Sequence, residues 1–294
     1  MLWVQFVACV LIVLFAGAKV AQYADVIAEK TRLGRLWVGT LILGVVTSMP
    51  ELVTSVSSVT LVHHPNLGVG ALIGSCIFNL CIIAIIDIKH KDKSALSIAS
   101  NRHVNSLAIG IVLAIVVGVG VLLNERFAYL RIGYASLPGI VILLIYITAF
   151  WRISKQKRDT PPDASLLQYE HTSGRFVWLK LALASSAIIG AGIWLSYVGD
   201  QISIVTGWGT TFVGSLLIAI TTSLPELTVA IVSERLGAID LAIGDILGAN
   251  LLDLTYIFFL DLLNGNESIF ARASQSHLVT LSLLVVMNTV LIVA

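Results

Sequence analysis

Two glutamates, Glu51 and Glu226, stand in matching pentapeptides, Thr47-Ser48-Met49-Pro50-Glu51 and Thr222-Ser223-Leu224-Pro225-Glu226, each within an apolar stretch. A charged carboxylate at the centre of a membrane helix costs roughly 2.5–3.5 kcal/mol on insertion scales. Each glutamate is therefore expected to be paired, protonated or metal-bound. Helical spacing of three and four residues puts Ser48 and Thr47 on the face of Glu51, and Ser223 and Thr222 on that of Glu226. Pro50 and Pro225 lack the N–H that would serve the carbonyls of Val46 and Thr221, and their rings open that turn. Freed carbonyls beside a water-lined cavity can act as cation ligands. Carboxylates, hydroxyls and carbonyls are hard donors suited to Ca2+ and Na+. A lone Thr, Ser or Pro in such a helix is ordinarily a local back-bond or a kink; two copies of one pattern, each with a centred glutamate, argue for a site.

Residues 39–52 (GTLILGVVTSMPEL) and 214–227 (GSLLIAITTSLPEL) match at an offset of 175, and 68–80 (GVGALIGSCIFNL) matches 242–254 (AIGDILGANLLDL) at 174. Two blocks at nearly constant offset point to an internal duplication. In the second pair of blocks Ser75 shares a helix face with Asn79, and Asn250 with Asp253. Gly70/Gly74 and Gly244/Gly248 are small-xxx-small pairs that allow close helix approach. Cys76 lies about 100° round the helix from Ser75 and reads as packing. Glu51, Glu226 and Asp253 could hold a divalent ion or several monovalent ones. Competition for one set of oxygens is the simplest basis for exchange.

The elements that must carry these residues follow from composition. The chain has 294 residues, 57% hydrophobic and 12% charged, with a mean hydropathy of +0.95, too little charge for the surface of a soluble domain of this length. Hydropathy and helix breakers predict an all-α polytopic membrane protein with about nine spans, near 2–29, 35–62, 67–88, 103–123, 131–151, 175–199, 210–233, 240–262 and 277–294. Residues 1–152 form a first repeat of five spans, 153–174 a polar linker, and 175–294 a second repeat that is one helix short. An odd number of spans separates the copies, so the second is expected to be inverted, with the site at the repeat interface near the midplane. Of the 18 basic residues, 14 lie on the side of the linker, which places the linker in the cytoplasm and the N-terminus outside. The expected location is the plasma (cell inner) membrane. Cys9, Cys76 and Cys81 all fall in apolar stretches and read as reduced.

On these motifs the sequence resembles the Na+/Ca2+ exchanger family of the cation/calcium antiporter superfamily, whose duplicated blocks read GTSxPEL followed by GNxxGSNIFN or a close variant. The resemblance implies that Glu51 and Glu226 ligate Ca2+ and also Na+. It implies that Thr47, Ser48, Thr222 and Ser223 supply hydroxyls and carbonyls, and that Gly44 and Ala219 supply backbone carbonyls. Ser75 matches a side-site hydroxyl, and Asn79 and Asp253 match the pair flanking the central site. It further implies alternating access by movement of the first and sixth helices, here 2–29 and 175–199. The chain departs from the pattern in four respects. Val46 and Thr221 replace the glycine of GTS, and Ala71 and Asp245 replace the asparagine of GN. Cys76 replaces a later asparagine, and Ala249 replaces a serine and so removes a side-site hydroxyl.

These features predict a secondary antiporter and no enzyme, exchanging Ca2+ for Na+, with the lipid bilayer and inorganic cations as its partners and no cofactor. A proton-coupled divalent-cation exchanger is the first alternative. A non-transporting relative and an intramembrane protease, the latter suggested by Gly244-Asp245, are further ones. No basic patch with interleaved aromatics suggests nucleic acid. Asp25, six residues after Lys19, is expected to be a structural partner of it. Asp245, near a span end, is expected to be paired or solvated, with a role on the ion path as the alternative.

Overall fold

A computed structural model describes residues 1–31, 44–89, 102–124, 130–155, 174–235 and 239–293. It is helical apart from one small hairpin, and among the described residues six helices are long and apolar enough to cross a membrane. The chain runs through α1 (Leu2–Thr31), α2 (Gly44–Thr47), α3 (Met49–Thr60), α4 (Pro65–Lys89) and α5 (Arg102–Leu122). Strands β1 (Arg131–Ile132) and β2 (Ala135–Ser136) precede α6 (Leu137–Lys155) and α7 (Gly174–Thr206). Next come α8 (Thr210–Val213), a π-helical turn (Gly214–Ile218), α9 (Ala219–Thr222), α10 (Leu224–Arg235) and α11 (Ile239–Leu263), then α12 (Ile269–Arg272) and α13 (His277–Val293). Helical segments occur at each of the nine expected places, and α6 and α13 are the shorter apolar ones. The start of the expected second span, all but the ends of the linker 153–174, and the side chain of Asp25 lie outside the described residues.

Two expected boundaries are corrected. The fifth span does not begin at 131: Arg131–Ser136 fold into an antiparallel hairpin pairing Arg131 with Ser136 and Ile132 with Ala135. Gly133 at φ +63° supplies the left-handed residue of its turn, which glycine adopts at no steric cost. Pro138 then falls in the first turn of α6, where its missing N–H removes no helical bond. The sixth span does not stop near 199 but continues to Thr206.

The centre of the bundle is α4 against α11. Their spanning segments are 72% and 78% buried, against 28% for α1 and 22% for the long segment of α7. The outer pair, α1 and α7, pack along each other; α7 also packs on α3, and α1 on α10. Gly17 and Gly192, 175 residues apart, make these crossings close. A Cβ on Gly17 would lie 2.6 Å from Pro225 Cγ, and one on Gly192 3.0 Å from Thr54 Oγ1.

Glycine on α4 brings backbone against backbone, as its spacing predicts. A Cβ on Gly74 would lie 2.2 Å from the Ser215 carbonyl oxygen, and one on Gly70 2.9 Å from that of Thr211. Across the same contact a Cβ on Gly214 would meet the Leu67 oxygen at 2.3 Å. Backbone has no rotamer with which to yield. Gly74→Ala is therefore expected to cost at least about 1–3 kcal/mol, read as a lowered midpoint of thermal unfolding in detergent, whereas the same change at Gly190, whose Cβ would meet nothing within 4 Å, leaves the midpoint nearly where it was.

Candidate ion-binding site

The two Thr-Ser-x-Pro-Glu segments break their helices in the same way. Ser48 (φ −81°, ψ 7°) separates α2 from α3, and Ser223 (φ −86°, ψ 8°) separates α9 from α10. Each break is one residue wide. Ser48 N–H still donates to Gly44 O (3.0 Å) and Leu52 N–H to Ser48 O (3.2 Å); Ser223 N–H donates to Ala219 O (3.1 Å) and Leu227 N–H to Ser223 O (3.2 Å). The glutamate thus opens a new helix in its first turn, where the exposed N–H groups of the helix start favour negative charge.

From these breaks the side chains cross. Ser223 Oγ donates to Glu51 Oε1 at 3.0 Å, and Ser48 Oγ donates to Glu226 Oε1 at 3.4 Å. Each carboxylate is held by the hydroxyl next to the other, the mark of a two-fold arrangement. Glu51, Glu226, Ser48, Ser223 and Thr222 are fully buried and Thr47 is 1% exposed, while Oε2 of both glutamates has no hydrogen-bond partner.

The central helices complete the cluster. Ser75 on α4 places its hydroxyl 3.5 Å from Glu51 Oε1, 3.4 Å from Ala219 O and 3.4 Å from Thr222 Oγ1. Thr222 Oγ1 also lies 3.3 Å from Ala219 O, and Thr47 Oγ1 lies 3.3 Å from Gly44 O. Ser75, Glu51, Ser223, Thr222 and the Ala219 carbonyl therefore converge. On the other side Ser48 and Glu226 meet, and Thr47 meets Gly44, but Ala249 has no hydroxyl with which to join them. Ser215 Oγ, next to Gly70 and also buried without a partner, was not singled out by the sequence, because nothing marks a serine as facing a helix crossing until the crossing is known.

Asn79 and Asn250 meet each other: Asn79 Nδ2 donates to Asn250 Oδ1 at 3.0 Å, Asn250 Nδ2 to Cys76 O at 3.2 Å, and Cys76 Sγ to Asn250 O at 3.6 Å. Cys76 is packed in the main apolar core, and all three cysteines are free thiols. Asp253 is fully buried with neither oxygen bonded. Among the described residues no three His, Cys, Asp or Glu side chains form a cluster, so the converging donors are carboxylates with hydroxyls and carbonyls.

The expected pairing of Asp25 with Lys19 lies outside the described residues. Asp245 is fully buried, and neither of its carboxylate oxygens has a partner among the described residues, so it is neither solvated nor paired there. Lys19 bonds Gln22 Oε1 (3.1 Å) and lies 5.9 Å from the Phe15 ring centre.

Comparison with known proteins agrees with this architecture. The profile of the family described as "sodium/calcium exchanger protein" matches residues 1–154 and 176–294. Inner membrane protein YrbG of Escherichia coli is 24% identical over 256 residues, covering 85% of this chain and 76% of YrbG. CaxA of Alkalimonas amylolytica, named as a candidate antiporter, is 26% identical over 250 residues, covering 83% of this chain and 74% of its own. Among solved structures, the sodium-calcium exchanger NCX_Mj soaked with 2.5 mM Na+ and 1 mM Sr2+ superposes with a TM-score of 0.64 over 100% of this chain and 90% of that one, at 19% identity. The same protein soaked without Na+ and Ca2+ gives 0.61 over 99% and 90%, at 20% identity. The fold is that of a membrane transporter and not of an enzyme, and the chain belongs to the sodium/calcium exchanger family.

Proposed function

We propose that this protein exchanges Ca2+ for Na+ by alternating access, with Glu51 and Glu226 as shared ligands of both ions. The reciprocal pair Ser223–Glu51 and Ser48–Glu226 carries the reading. Oxygens 2.3–2.6 Å from a Ca2+ and about 90° apart lie roughly 3.3–3.7 Å from one another. Most of the distances around Ser75, Thr222, Ala219, Glu51, Ser48 and Glu226 are 3.3–3.5 Å, longer than the 2.5–3.0 Å of a firm O–H···O bond. Such spacing is compatible with oxygens arranged about a cation, for which both free Oε2 atoms would be available.

In this reading Glu51 and Glu226 face a central divalent ion. Thr47, Ser48, Thr222 and Ser223 add hydroxyls or carbonyls, Gly44 and Ala219 add carbonyls, and Ser75 serves a side position. Asn79 and Asp253 flank the centre. Residues 1–152 and 175–294 act as inverted halves, and α1 and α7 move against the core to open one side at a time. The protein sits in the plasma (cell inner) membrane with its N-terminus outside and residues 153–174 in the cytoplasm.

Flux in liposomes tests this. An outward Na+ gradient should drive 45Ca2+ uptake. Glu51→Gln and Glu226→Gln should each weaken Ca2+ binding in detergent by about 100-fold or more, within the 2–5 kcal/mol that follows removal of one buried charged partner; equal Ca2+ binding in wild type and variants would sink the site. The asymmetry at position 249 gives a second expectation. Ser75→Ala should raise the half-saturating Na+ concentration about tenfold, the scale of one charge-assisted contact, and Ala249→Ser should lower it.

Proton-coupled Ca2+ exchange is the alternative that a specific observation favours. Asp253, buried with both oxygens free, could carry a proton in place of a Na+. Ca2+ uptake driven by a pH gradient alone in sodium-free medium would decide for it.

A further inference from the structure

Asp245 has no role in the site as described, and its surroundings do not explain it. Two other buried acids show how this protein satisfies a structural aspartate. Asp261, also on α11 and fully buried, accepts from Ser136 N–H (2.6 Å), Ser268 Oγ (2.9 Å) and Ile269 N–H (2.8 Å). Asp200, at the far end of α7 and less deeply buried, has His64 Nδ1 3.3 Å from Oδ1, a contact that supports its charge when the imidazole is protonated. Asp245 has neither kind of support, and no lysine or arginine is buried among the described residues. Packing does not call for an acid there. The matching position in the first block is Ala71, which lies fully buried in an apolar cluster with Cys9, Leu67 and Leu195.

Its place along α11 is informative. Asp245 lies six residues from the start of α11 at Ile239, about 9 Å along the axis, and eight residues, about 12 Å, before Asp253. The helix on which it lies packs against α10, which carries Glu226. A carboxylate with no donor and no basic neighbour among the described residues is costly in a low-dielectric interior unless a proton or a cation neutralises it. It stands between the central glutamates and the end of α11 that the charge asymmetry assigns to the cytoplasm.

We infer that Asp245 is a further cation-binding residue, a monovalent-ion station that holds Na+ between the central site and the cytoplasmic mouth. The inference rests on the exchange reading above. It supplies a charge where Ala249 has withdrawn a hydroxyl, so that in this chain part of the Na+ affinity resides one to two turns nearer the cytoplasm than the glutamates.

The test uses the full chain in liposomes, as wild type, Asp245→Asn and Asp245→Ala, the last placing at 245 the residue that the chain itself has at 71. Two quantities are read: Ca2+ self-exchange in sodium-free medium as a function of Ca2+, and 45Ca2+ uptake as a function of the Na+ concentration on the cytoplasmic side. Both variants should raise the half-activating Na+ concentration by about tenfold, at least five times the change in the Ca2+ constant, and lower the steepness of the Na+ dependence by about one ion. Equal changes in the two constants, no change in either, loss of self-exchange in both variants, or an effect confined to pH-driven uptake would each overturn it. Failure of the underlying reading looks different: the wild type would then lack Ca2+ self-exchange, or Glu51→Gln would leave it intact.

Discussion

A carboxylate that has left water must find hydrogen-bond donors, a positive partner or a bound cation, and the interior of this bundle divides its acids by which of these they obtain. Asp261 obtains three donors and Asp200 a histidine. Glu51 and Glu226 obtain serine hydroxyls on one oxygen each and nothing on the other. Asp253 and Asp245 obtain nothing. All four are incompletely satisfied in a medium that screens charge poorly. Such groups are tolerated where a proton or a cation neutralises them. Asp261, with full support, ties Ser136 and the segment 268–269 to α11; the acids with least support lie on the broken helices and on α11.

The architecture makes this burial possible through close backbone approach. α4 passes the segment 211–215 almost backbone to backbone, because Gly70, Gly74 and Gly214 add no side chain of their own. That proximity brings Ser75 to the Ala219 carbonyl and to Thr222. Prolines 50 and 225 then set where each helix is interrupted, and so where carbonyls lose their partners and glutamates gain a helix start. Non-helical backbone at membrane depth is tolerated where protein covers it. α7 covers α3, and α1 covers α10, with Gly192 and Gly17 at the closest points. Each outer helix therefore rests against the glutamate-bearing helix of the opposite half.

Much of the site was legible because membrane burial makes polar residues rare and therefore informative. Glu51, Glu226 and the Thr-Ser-x-Pro frame needed only the duplication to stand out, and the break at each serine followed from the proline. The closeness of Gly70 and Gly74 to a partner helix was legible from spacing, though which helix they approach was not. Partner choice across the two halves was illegible for a physical reason: helical periodicity fixes the face on which a residue lies, and not what that face meets. Asn79 accordingly bonds Asn250, two residues that the sequence had placed on separate faces of separate helices. The hairpin at 131–136 was missed because its residues are apolar enough to extend a span, and a single left-handed glycine is a weaker signal than the hydropathy around it. The full burial of Asp245 was not legible, because distance from a predicted span end is a poor guide to depth.

The halves differ most where they meet. At matching positions α4 carries Ala71, Ser75, Cys76 and Asn79, and α11 carries Asp245, Ala249, Asn250 and Asp253. Going from the first half to the second, one hydroxyl is lost, an amide is replaced by a carboxylate at 253, and a carboxylate appears at 245. The scaffold keeps its symmetry in the breaks, the crossing hydrogen bonds and the glycines that set helix approach, since two states related by exchange of roles need similar energies in both halves. The charge does not keep it. Between these two helices the hydroxyl lies at Ser75 on α4 and the unpartnered carboxylates lie on α11. The two halves therefore bring unlike oxygens to matching positions within one similar backbone frame, a neutral donor set from one and an acidic one from the other.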